Sequence, residues 1–367
     1  MAIRNQPLQP YNELPDPPGA ERLETPAVLR RTIAARATLA ELKGACQQLP
    51  EPALLLNTVM LQESQDSSAI ENIVTTRDQL YQAILNPLDA APPSVKEVLR
   101  YREAMHEGIA AMQRAGGISV NTAVQVMQRI KHTGVGIRTL PGTQLGNPAS
   151  GQVIYTPPAP TMLPGLMARW ERFTNEAEGM DPLVRMAAMH YWFEAIHPFA
   201  DGNGRTGRIL NVLFLIHAGL LLHPVLYLSS HILRHKPAYY RCLRRVTEED
   251  AWEDWLLFML GAVEETARAT LGLVTGIARL KQEFAAEARA LDNKLPATDL
   301  AGLLFSFPYV KVGTLMDHQL GSRPTVTAYL RTLVKHGMLN EVRRGRENYF
   351  INHRLITLIQ NSGSPSE

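Results

Sequence analysis

The stretch His197-Pro-Phe-Ala-Asp-Gly-Asn-Gly-Arg-Thr-Gly-Arg208 lies between two apolar segments, each with the residue spacing of a helix. The proline at its second position disfavours helical geometry at His197, so we expect the first helix, over 181–196, to end there. We expect a second helix over 205–219, because apolar residues recur there on one face. Gly202-Asn-Gly204 therefore lies at a helix N-terminus, where converging amides and the helix dipole create an anion site.

Four side chains of this stretch are suited to phosphate chemistry. Arg205 and Arg208 are three residues apart and share a helix face, and planar guanidinium groups match phosphate oxygens. Asp201 adds a carboxylate, the usual protein ligand of Mg²⁺ beside phosphates. His197 can accept a proton near neutral pH. Each residue alone is more often a turn, a solvated face or a structural histidine, but together they predict phosphoryl or nucleotidyl transfer.

The stretch resembles the signature of the Fic family, His-x-Phe-x-Asp/Glu-Gly-Asn-Gly-Arg-x-x-Arg, and all the fixed positions match. The similarity extends over roughly residues 25–290. It implies an all-α protein, with a Fic helical core and a small β-hairpin flap. It also implies transfer of AMP from ATP to a Ser, Thr or Tyr hydroxyl of a target protein.

The resemblance further implies roles for the residues around ATP. His197 would be the catalytic base that deprotonates the target hydroxyl. Asp201 would hold Mg²⁺ bridging the α- and β-phosphates. Arg205 would stabilise the leaving pyrophosphate, and Arg208 would bind the γ-phosphate. The other ATP-binding residues that it implies are Gly202, Asn203, Gly204, Thr206 and Gly207.

Two other segments occupy places that the family uses. Residues 139–158 surround a short strand, Gln152–Tyr155, and would form a flap that covers the nucleotide and pairs with the backbone of the target protein. Tyr239-Tyr240 would lie near the adenine. From the residues alone, 139–158 could equally be an ordinary surface hairpin. Tyr239-Tyr240 could likewise be two core aromatic residues on a helix, and both alternatives stay open.

A second motif, Ser67-Ser-Ala-Ile-Glu71-Asn72, precedes the signature. From the residues alone it is a capped helix end, where Asn is a natural terminator. It resembles the family's inhibitory motif, Ser/Thr-x-x-x-Glu-Gly/Asn, to which Ser67, Glu71 and Asn72 would belong. The resemblance implies that Glu71 pairs with Arg208 in the place of the γ-phosphate, so that ATP binds unproductively. In some relatives the same glutamate supports removal of AMP.

The chain is expected to have four parts. They are an extended N-terminal arm over 1–22, a helical region with the inhibitory motif over 23–115, the Fic core over 116–290 and a winged helix over 295–360. Three helical patterns and a hairpin around Arg344-Gly-Arg346 predict the last part. We expect separate helices over 52–63, 64–71 and 75–85, and a single helix over 229–246.

Composition limits the class of protein. Lys plus Arg number 37 against 35 Asp plus Glu, so DNA binding would need a local basic patch, and 322–346 offers one. The alternative for this patch is contact with protein or formation of a homodimer. The two cysteines lack metal-ligand spacing, and no apolar run reaches the roughly 18 residues of a membrane helix. These features predict a reduced, cytoplasmic protein without a membrane partner.

Three functions are compatible with these patterns. The first is a protein adenylyltransferase with built-in inhibition, whose targets could include itself. The second is another reaction on the same site, namely AMP removal or transfer of UMP or phosphate. The third is a DNA-binding regulator that senses nucleotide without turnover. The complete signature argues against the third function, because an inactive site could have lost His197.

Overall fold

The computed structural model describes most of the chain. The described residues are 6–47, 53–76, 79–80, 91–147, 150–176, 178–307, 309–344 and 347–361. Most of the helix predicted over 75–85, two residues of the flap (148–149) and the wing tip Gly345-Arg346 lie outside them. The chain divides into two compact units, one made of residues up to Ala40 with Val59–Ala267, the other of Glu41–Thr58 with the residues from Arg268 onward.

The first unit is helical and contains one short hairpin, as the sequence predicted. The elements are α1 (Ala20–Leu23), α2 (Pro26–Gln47), α3 (Ala53–Ile70), α4 (Pro93–Ala115), α5 (Val120–Lys131), β1 (Leu145–Asn147), β2 (Gln152–Tyr155), α6 (Leu163–Glu176), α7 (Pro182–Ile196), α8 (Asn203–His217), α9 (Leu228–Arg234), α10 (Lys236–Glu249) and α11 (Trp252–Leu291). Helices α2, α3 and α11 each have residues in both units.

Helices α7 and α8 form the centre of this unit. Helix α7 is apolar on nearly every side and almost entirely buried, as expected for a helix surrounded by protein. Helix α8 packs against α4, α5 and α7, and all but one of the residues over 203–215 are buried. The short loop between α7 and α8 is therefore held at both ends by buried helices.

Three expected helix boundaries were wrong. Helix α3 is continuous rather than split near residue 63. Helix α8 begins at Asn203, two residues early, because Gly202 adopts a left-handed conformation (φ 87°) that places it at the N-cap. The helix predicted over 229–246 is broken at His235, which is not helical. Pro237 lies in the first turn of α10, where its missing N–H costs nothing.

The flap is an antiparallel hairpin in which Asn147 pairs with Gln152. The N-terminal arm runs along the end of its second strand. The N–H of Tyr11 donates to the carbonyl of Thr156 at 3.0 Å, and the Thr156 hydroxyl donates to the carbonyl of Pro7 at 2.5 Å. These contacts fasten the base of the flap to the arm.

The second unit contains the expected three helices and hairpin, and its assignment as a winged helix stays a prediction. The sequence missed a short third strand and a C-terminal helix. The strand order is β3-β5-β4, with Val342 opposite Tyr349. The elements are α12 (Ala297–Ser306), β3 (Tyr309–Val310), α13 (Val312–Asp317), α14 (Arg323–Lys335), β4 (Asn340–Arg344), β5 (Glu347–Ile351) and α15 (His353–Asn361).

The basic patch predicted for DNA contact carries acidic side chains as well. Glu347 of the hairpin forms an ion pair with Lys311, and Glu341 accepts a hydrogen bond from Asn348 at 2.6 Å. DNA contact through 322–346 therefore stays a prediction. None of the helices in the described part of the chain is both long and apolar enough to cross a membrane.

Candidate active site

His197 lies at the C-terminal end of α7, where the helix stops. Its backbone is left-handed (φ 49°, ψ 60°), and its N–H donates to the carbonyl of Phe193 at 3.0 Å. Burial of the ring lowers the pKa of His197 to about 4. A backbone hydrogen bond with Glu194 opposes this shift but does not outweigh it. The imidazole is therefore neutral at pH 7 and able to accept a proton.

The buried side chain of Asn203 stabilises the loop between α7 and α8. Its Oδ1 accepts from the N–H of Phe199 at 2.9 Å, and its Nδ2 donates to the carbonyl of the same residue at 2.8 Å. Asn203 is 2% exposed, and Phe199 is buried in the core. Both polar atoms of the Asn203 amide are thus used within the protein.

Arg138, which belongs to no sequence motif, stabilises the loop between α7 and α8 by binding backbone carbonyls. Its Nε donates to the carbonyl of His197 at 2.9 Å, and its Nη2 donates to the carbonyl of Pro158 at 2.5 Å. Tyr155 of the flap donates its hydroxyl to the carbonyl of Ala195 at 2.7 Å. The base of the flap is therefore fastened to the backbone that carries His197.

Arg208 is bound by a single turn of α3. Its Nε donates to the Ser67 hydroxyl and its Nη2 to the Ser67 carbonyl, both at 2.8 Å. Nη2 also forms an ion pair with Glu71 at 2.8 Å, the contact that the resemblance implied. Arg208 is 1% exposed, so these groups enclose its charge.

The Glu71 carboxylate occupies the N-terminal end of α8. Its Oε1 and the Arg208 guanidinium lie so close to Gly204 that a Cβ there would clash with both. Asn72 takes the left-handed backbone (φ 63°) that ends α3. Lys236 fixes this segment, because its ammonium group donates to the Ile70 carbonyl at 2.6 Å and to Asn72 Oδ1 at 3.3 Å. A negative charge thus lies where the helix start favours one.

Asp201 and Arg205 belong to a neighbouring cluster of four charges. Arg205, 2% exposed, forms ion pairs with Glu97 and, at 3.5 Å, with Asp201. Lys131 contacts Glu97 at 3.2 Å and Asp201 at 2.6 Å. Burial opposes ionisation of both carboxyl groups, but the two cations outweigh it and lower the pKa of Glu97 and of Asp201. Glu97 lies 108 residues from Arg205 in sequence, so no local pattern could have indicated it.

The Asp201 side chain is 63% exposed, in contrast to the buried arginine beside it. It offers ionised carboxylate oxygens at the edge of the α8 N-terminus. Mg²⁺ in nucleotide sites is commonly held by one or two carboxylates together with phosphate oxygens. The residues present therefore fit a magnesium ion that arrives with a polyphosphate.

A cavity of about 880 Å³ opens beside His197, within the roughly 300–1,000 Å³ range of small-molecule sites. Of the residues assigned from the sequence, those that line it are Glu71, Asn72, His197, Gly204, Arg208, Tyr239 and Tyr240. The assigned residues of the described chain that do not line it are Ser67, Asp201, Gly202, Asn203, Arg205, Thr206 and Gly207.

The two tyrosines differ in their surroundings. Tyr239 is 2% exposed, and its hydroxyl is hydrogen-bonded to His190 Nε2 at 2.8 Å. Tyr240 is 45% exposed and packs edge-on against Tyr239, with ring centroids 5.2 Å apart. Tyr239 is thus a core residue that reaches the cavity wall, whereas Tyr240 presents its ring at the cavity.

Glu194 is a cavity residue that the sequence did not indicate. Burial raises its pKa to about 8, with the Arg208 charge opposing and the Glu71 charge reinforcing the shift. Its Oε1 meets no hydrogen-bond partner among the described residues and lies against Gly207, where it would contact an added Cβ. At pH 7 the group is mostly a neutral acid.

Three family models match consecutive parts of the chain. The Fic/DOC family N-terminal model matches residues 29–110, and the Fic/DOC family model matches 117–215. The model for the C-terminal domain of SoFic-like protein adenylyltransferases matches 280–355.

Curated relatives match a shorter region. A protein adenylyltransferase Fic of Culex quinquefasciatus is 41% identical over 115 residues, which are 30% of this chain and 21% of the relative. A probable protein adenylyltransferase of Aquifex aeolicus is 33% identical over 94 residues, 26% of this chain and 27% of the relative. The chain therefore spans only about a quarter of the length of these relatives.

Solved structures share the fold. A Fic family protein from Desulfovibrio desulfuricans superposes with a TM-score of 0.57 at 23% identity, covering 92% of this chain and 98% of that one. Fic-1 from C. elegans superposes with a TM-score of 0.52 at 21% identity, covering 70% of this chain and 75% of that one. With its three matching models and this fold, the chain belongs to the Fic/DOC family.

Proposed function

We propose that the protein transfers AMP from ATP to a hydroxyl group of a target protein, and that Glu71 restrains this reaction. The observation that carries the proposal is the placement of a neutral His197 and of Arg208 on one cavity, on either side of the α8 N-terminus. Relatives named as protein adenylyltransferases support the same chemistry.

His197 acts as the general base. The hydroxyl oxygen of the target attacks the α-phosphorus, and its proton passes to the neutral imidazole. The bond from the α-phosphorus to the bridging oxygen breaks, and pyrophosphate leaves. The pKa of about 4 keeps the ring unprotonated before the attack, and Arg138 holds its backbone in place through the His197 carbonyl.

The phosphates are held at the start of α8. Because the Asn203 side chain is committed to Phe199, this residue contributes its backbone N–H together with those of Gly202 and Gly204. Asp201 would hold Mg²⁺, which would neutralise phosphate charge and activate the α-phosphorus. Arg205, held by Glu97 outside the cavity lining, would contribute its positive charge to stabilising the pyrophosphate.

Glu71 restrains the reaction by competing with ATP. Its carboxylate lies against Gly204 and pairs with Arg208, so the place of a γ-phosphate is filled by another anion. ATP that enters with Glu71 in place must shift its phosphates. Tyr240 offers an exposed ring for the adenine, and the flap edge offers backbone groups for an extended segment of the target.

Labelled ATP tests this function. Wild type, Glu71→Gly and Glu71→Gly/His197→Ala are incubated alone and with cell extract, using ATP labelled at the α- or the γ-phosphate. We expect protein-bound α-label with Glu71→Gly, less with wild type and none with Glu71→Gly/His197→Ala. Glu178→Gly, at an exposed glutamate, should match wild type. Protein-bound label from the γ-phosphate alone, or no label with any form, would contradict AMP transfer.

A further inference from the structure

Two histidines and a glutamate converge at the α9–α10 junction, outside the lining of the nucleotide cavity. His231 belongs to α9, His235 separates α9 from α10, and Glu265 belongs to α11. One nitrogen or oxygen atom from each side chain lies within 4.8 Å of the others. His231 Nδ1 is 2.7 Å from Glu265 Oε2, and the two imidazole ring centroids are 4.5 Å apart. None of the three residues lines the cavity.

This donor set has the chemistry of a transition-metal site. Two imidazoles and one carboxylate suit Zn²⁺ and its first-row neighbours, whereas Mg²⁺ and Ca²⁺ prefer oxygen ligands alone. Histidines four positions apart at the end of a helix can point to one side. In a tetrahedral site with metal–ligand bonds of about 2.0–2.1 Å, ligand atoms lie about 3.4 Å from one another. The three atoms lie within 4.8 Å of one another, so the side chains need to move together by no more than about 1.4 Å to reach that spacing.

We propose that His231, His235 and Glu265 bind a divalent transition metal, with Zn²⁺ as the best match. Three protein ligands leave a fourth position, and it faces solvent because His235 is exposed. The site ties the α9–α10 junction to α11. It uses no residue of the proposed adenylyl-transfer site, so the two proposals stand or fail separately.

The surroundings orient two of the three ligands. Phe258 packs edge-on against the His231 ring, with centroids 5.2 Å apart, and restricts its rotation. Arg234 forms an ion pair with Glu265 Oε1 at 2.6 Å, which leaves Oε2 directed at His231. Partners behind the ligands orient them for the metal, but the Arg234 charge also opposes a cation. We therefore expect micromolar rather than tighter affinity.

Metal binding has a local structural consequence. His235 immediately precedes Lys236, whose ammonium group holds the carbonyl of Ile70. Without metal, the contacts that hold the junction include the His231–Glu265 and Arg234–Glu265 pairs and the hydrogen bonds of Lys236. A metal bond to His235 adds a direct link at the residue where the helix is broken, so backbone amides over 231–240 should exchange more slowly with solvent.

The test uses the full chain, stripped with a chelator and kept in excess Mg²⁺ so that sites with oxygen ligands are occupied. Zn²⁺ affinity is measured by competition with a chromophoric chelator, and Co²⁺ substitution reports ligand geometry by visible absorption. We expect one Zn²⁺ per wild-type chain and at least about tenfold weaker binding in His235→Ala and in Glu265→Gln. His217→Ala removes an exposed histidine elsewhere and should bind as wild type.

Hydrogen exchange gives a second readout. Zn²⁺ should slow exchange over 231–240 in wild type and not in His235→Ala, with circular dichroism showing that both are folded. Should wild type fail to bind Zn²⁺, or should both ligand variants bind it as wild type does, the site does not exist. If wild type bound Zn²⁺ without slower hydrogen exchange over 231–240, the metal would lie at another site and the proposal would be wrong.

Discussion

The guanidinium of Arg208 and the carboxylate of Glu71 form a 2.8 Å ion pair at the N-terminal end of α8. The two partners are buried to different extents, because Arg208 is 1% exposed and Glu71 is 33% exposed. Among the described residues, the hydrogen bonds that remain to this buried cation after Glu71 is removed go to Ser67, while the carboxyl groups of Glu63 and Glu194 interact with it only electrostatically. A buried unpaired charge is costly, and the γ-phosphate of ATP is a ready replacement for the missing anion.

Glu71→Gly should lower the stability of the nucleotide-free protein and increase its response to ATP. We expect a loss of about 1–2 kcal/mol without ATP, below the full cost of a buried pair because Glu71 is partly exposed. MgATP should restore the loss and raise the melting temperature more than it does in wild type. Thermal unfolding with and without MgATP measures both effects. Equal ATP-induced shifts in the two proteins would refute competition between Glu71 and the γ-phosphate.

Ser67→Ala should release Arg208 only in part. It removes one hydrogen bond to the guanidinium and keeps the bond to the Ser67 carbonyl. We expect a stability loss of about 1–2 kcal/mol and AMP transfer between that of wild type and Glu71→Gly. Urea unfolding and α-label transfer provide the measurements.

The neighbouring serine supplies the matched control. Ser68 is equally buried, but its hydroxyl meets no hydrogen-bond partner within the described residues. Ser68→Ala should therefore leave transfer unchanged. If Ser67→Ala and Ser68→Ala gave the same transfer rate, the Ser67 hydroxyl would have no part in the restraint.

Glu97→Gln should strengthen the binding of ATP. The charged cluster has a net charge of zero, because the two carboxylates of Glu97 and Asp201 balance the cations of Arg205 and Lys131. The substitution removes one negative charge and gives the cluster a net charge of +1. A polyphosphate should then bind about three- to tenfold more tightly at low salt, with a steeper loss as salt is added. Glu103→Gln on the same helix, where the half-buried Glu103 pairs with Arg129, is the control. An unchanged ATP affinity in Glu97→Gln would show that the cluster does not act on the phosphates.

Sequence reasoning succeeded where the chemistry is local. The turn at His197 and the glycines at the start of α8 follow from Pro198 and from helix-end rules. The Glu71–Arg208 contact spans 137 positions and was reached only through a family resemblance. The Arg205–Glu97 pair spans 108 positions, and neither a motif nor a resemblance indicated it. Contacts between distant segments depend on how helices pack, which local patterns do not specify.

One miss had a local signal. The break at His235 precedes Pro237, and proline in a first helical turn is a standard sign of a new helix. The apolar spacing over 229–246 obscured it. Arg138 had no such sign, because a single arginine in a segment rich in glycine and proline is ordinary. Arg138 stabilises the loop only because folding brings the carbonyls of His197 and Pro158 within hydrogen-bonding distance of its guanidinium.

The pH dependence of AMP transfer should report the lowered pKa of His197. An ordinary histidine titrates near about 6.5, whereas burial lowers the pKa of this one to about 4. The base is active when neutral, so kcat/KM of Glu71→Gly should be level from pH 8 down to about pH 5 and fall below that. Initial rates of α-label transfer, with circular dichroism to verify folding at each pH, provide the test. A half-maximal rate near pH 6.5 would show that the ring titrates normally.

Glu194→Gln should flatten the dependence of stability on pH. Burial raises the pKa of Glu194 to about 8, whereas a glutamate in the unfolded chain titrates near about 4.3. Between these values the folded state holds a proton that the unfolded state has lost. The stabilisation by this bound proton is therefore complete below about pH 4.3, decreases as the pH rises above that value, and is lost once the pH exceeds about 8.

A glutamine cannot ionise, so Glu194→Gln should lack this decline. Its free energy of unfolding, relative to wild type, should increase from pH 5 to pH 8 by a few kcal/mol, at about 1.4 kcal/mol per pH unit for one proton. Glu63 is also buried with a raised pKa, so wild type and variant share a remaining slope and the difference isolates Glu194. Glu178→Gln should follow wild type, because its side chain is exposed. Urea unfolding at pH 5, 6.5 and 8 measures the difference. If the free energy of unfolding changed with pH equally in Glu194→Gln and wild type, Glu194 would be ionised at neutral pH. Arg208 would then be shared between the carboxylates of Glu71 and Glu194.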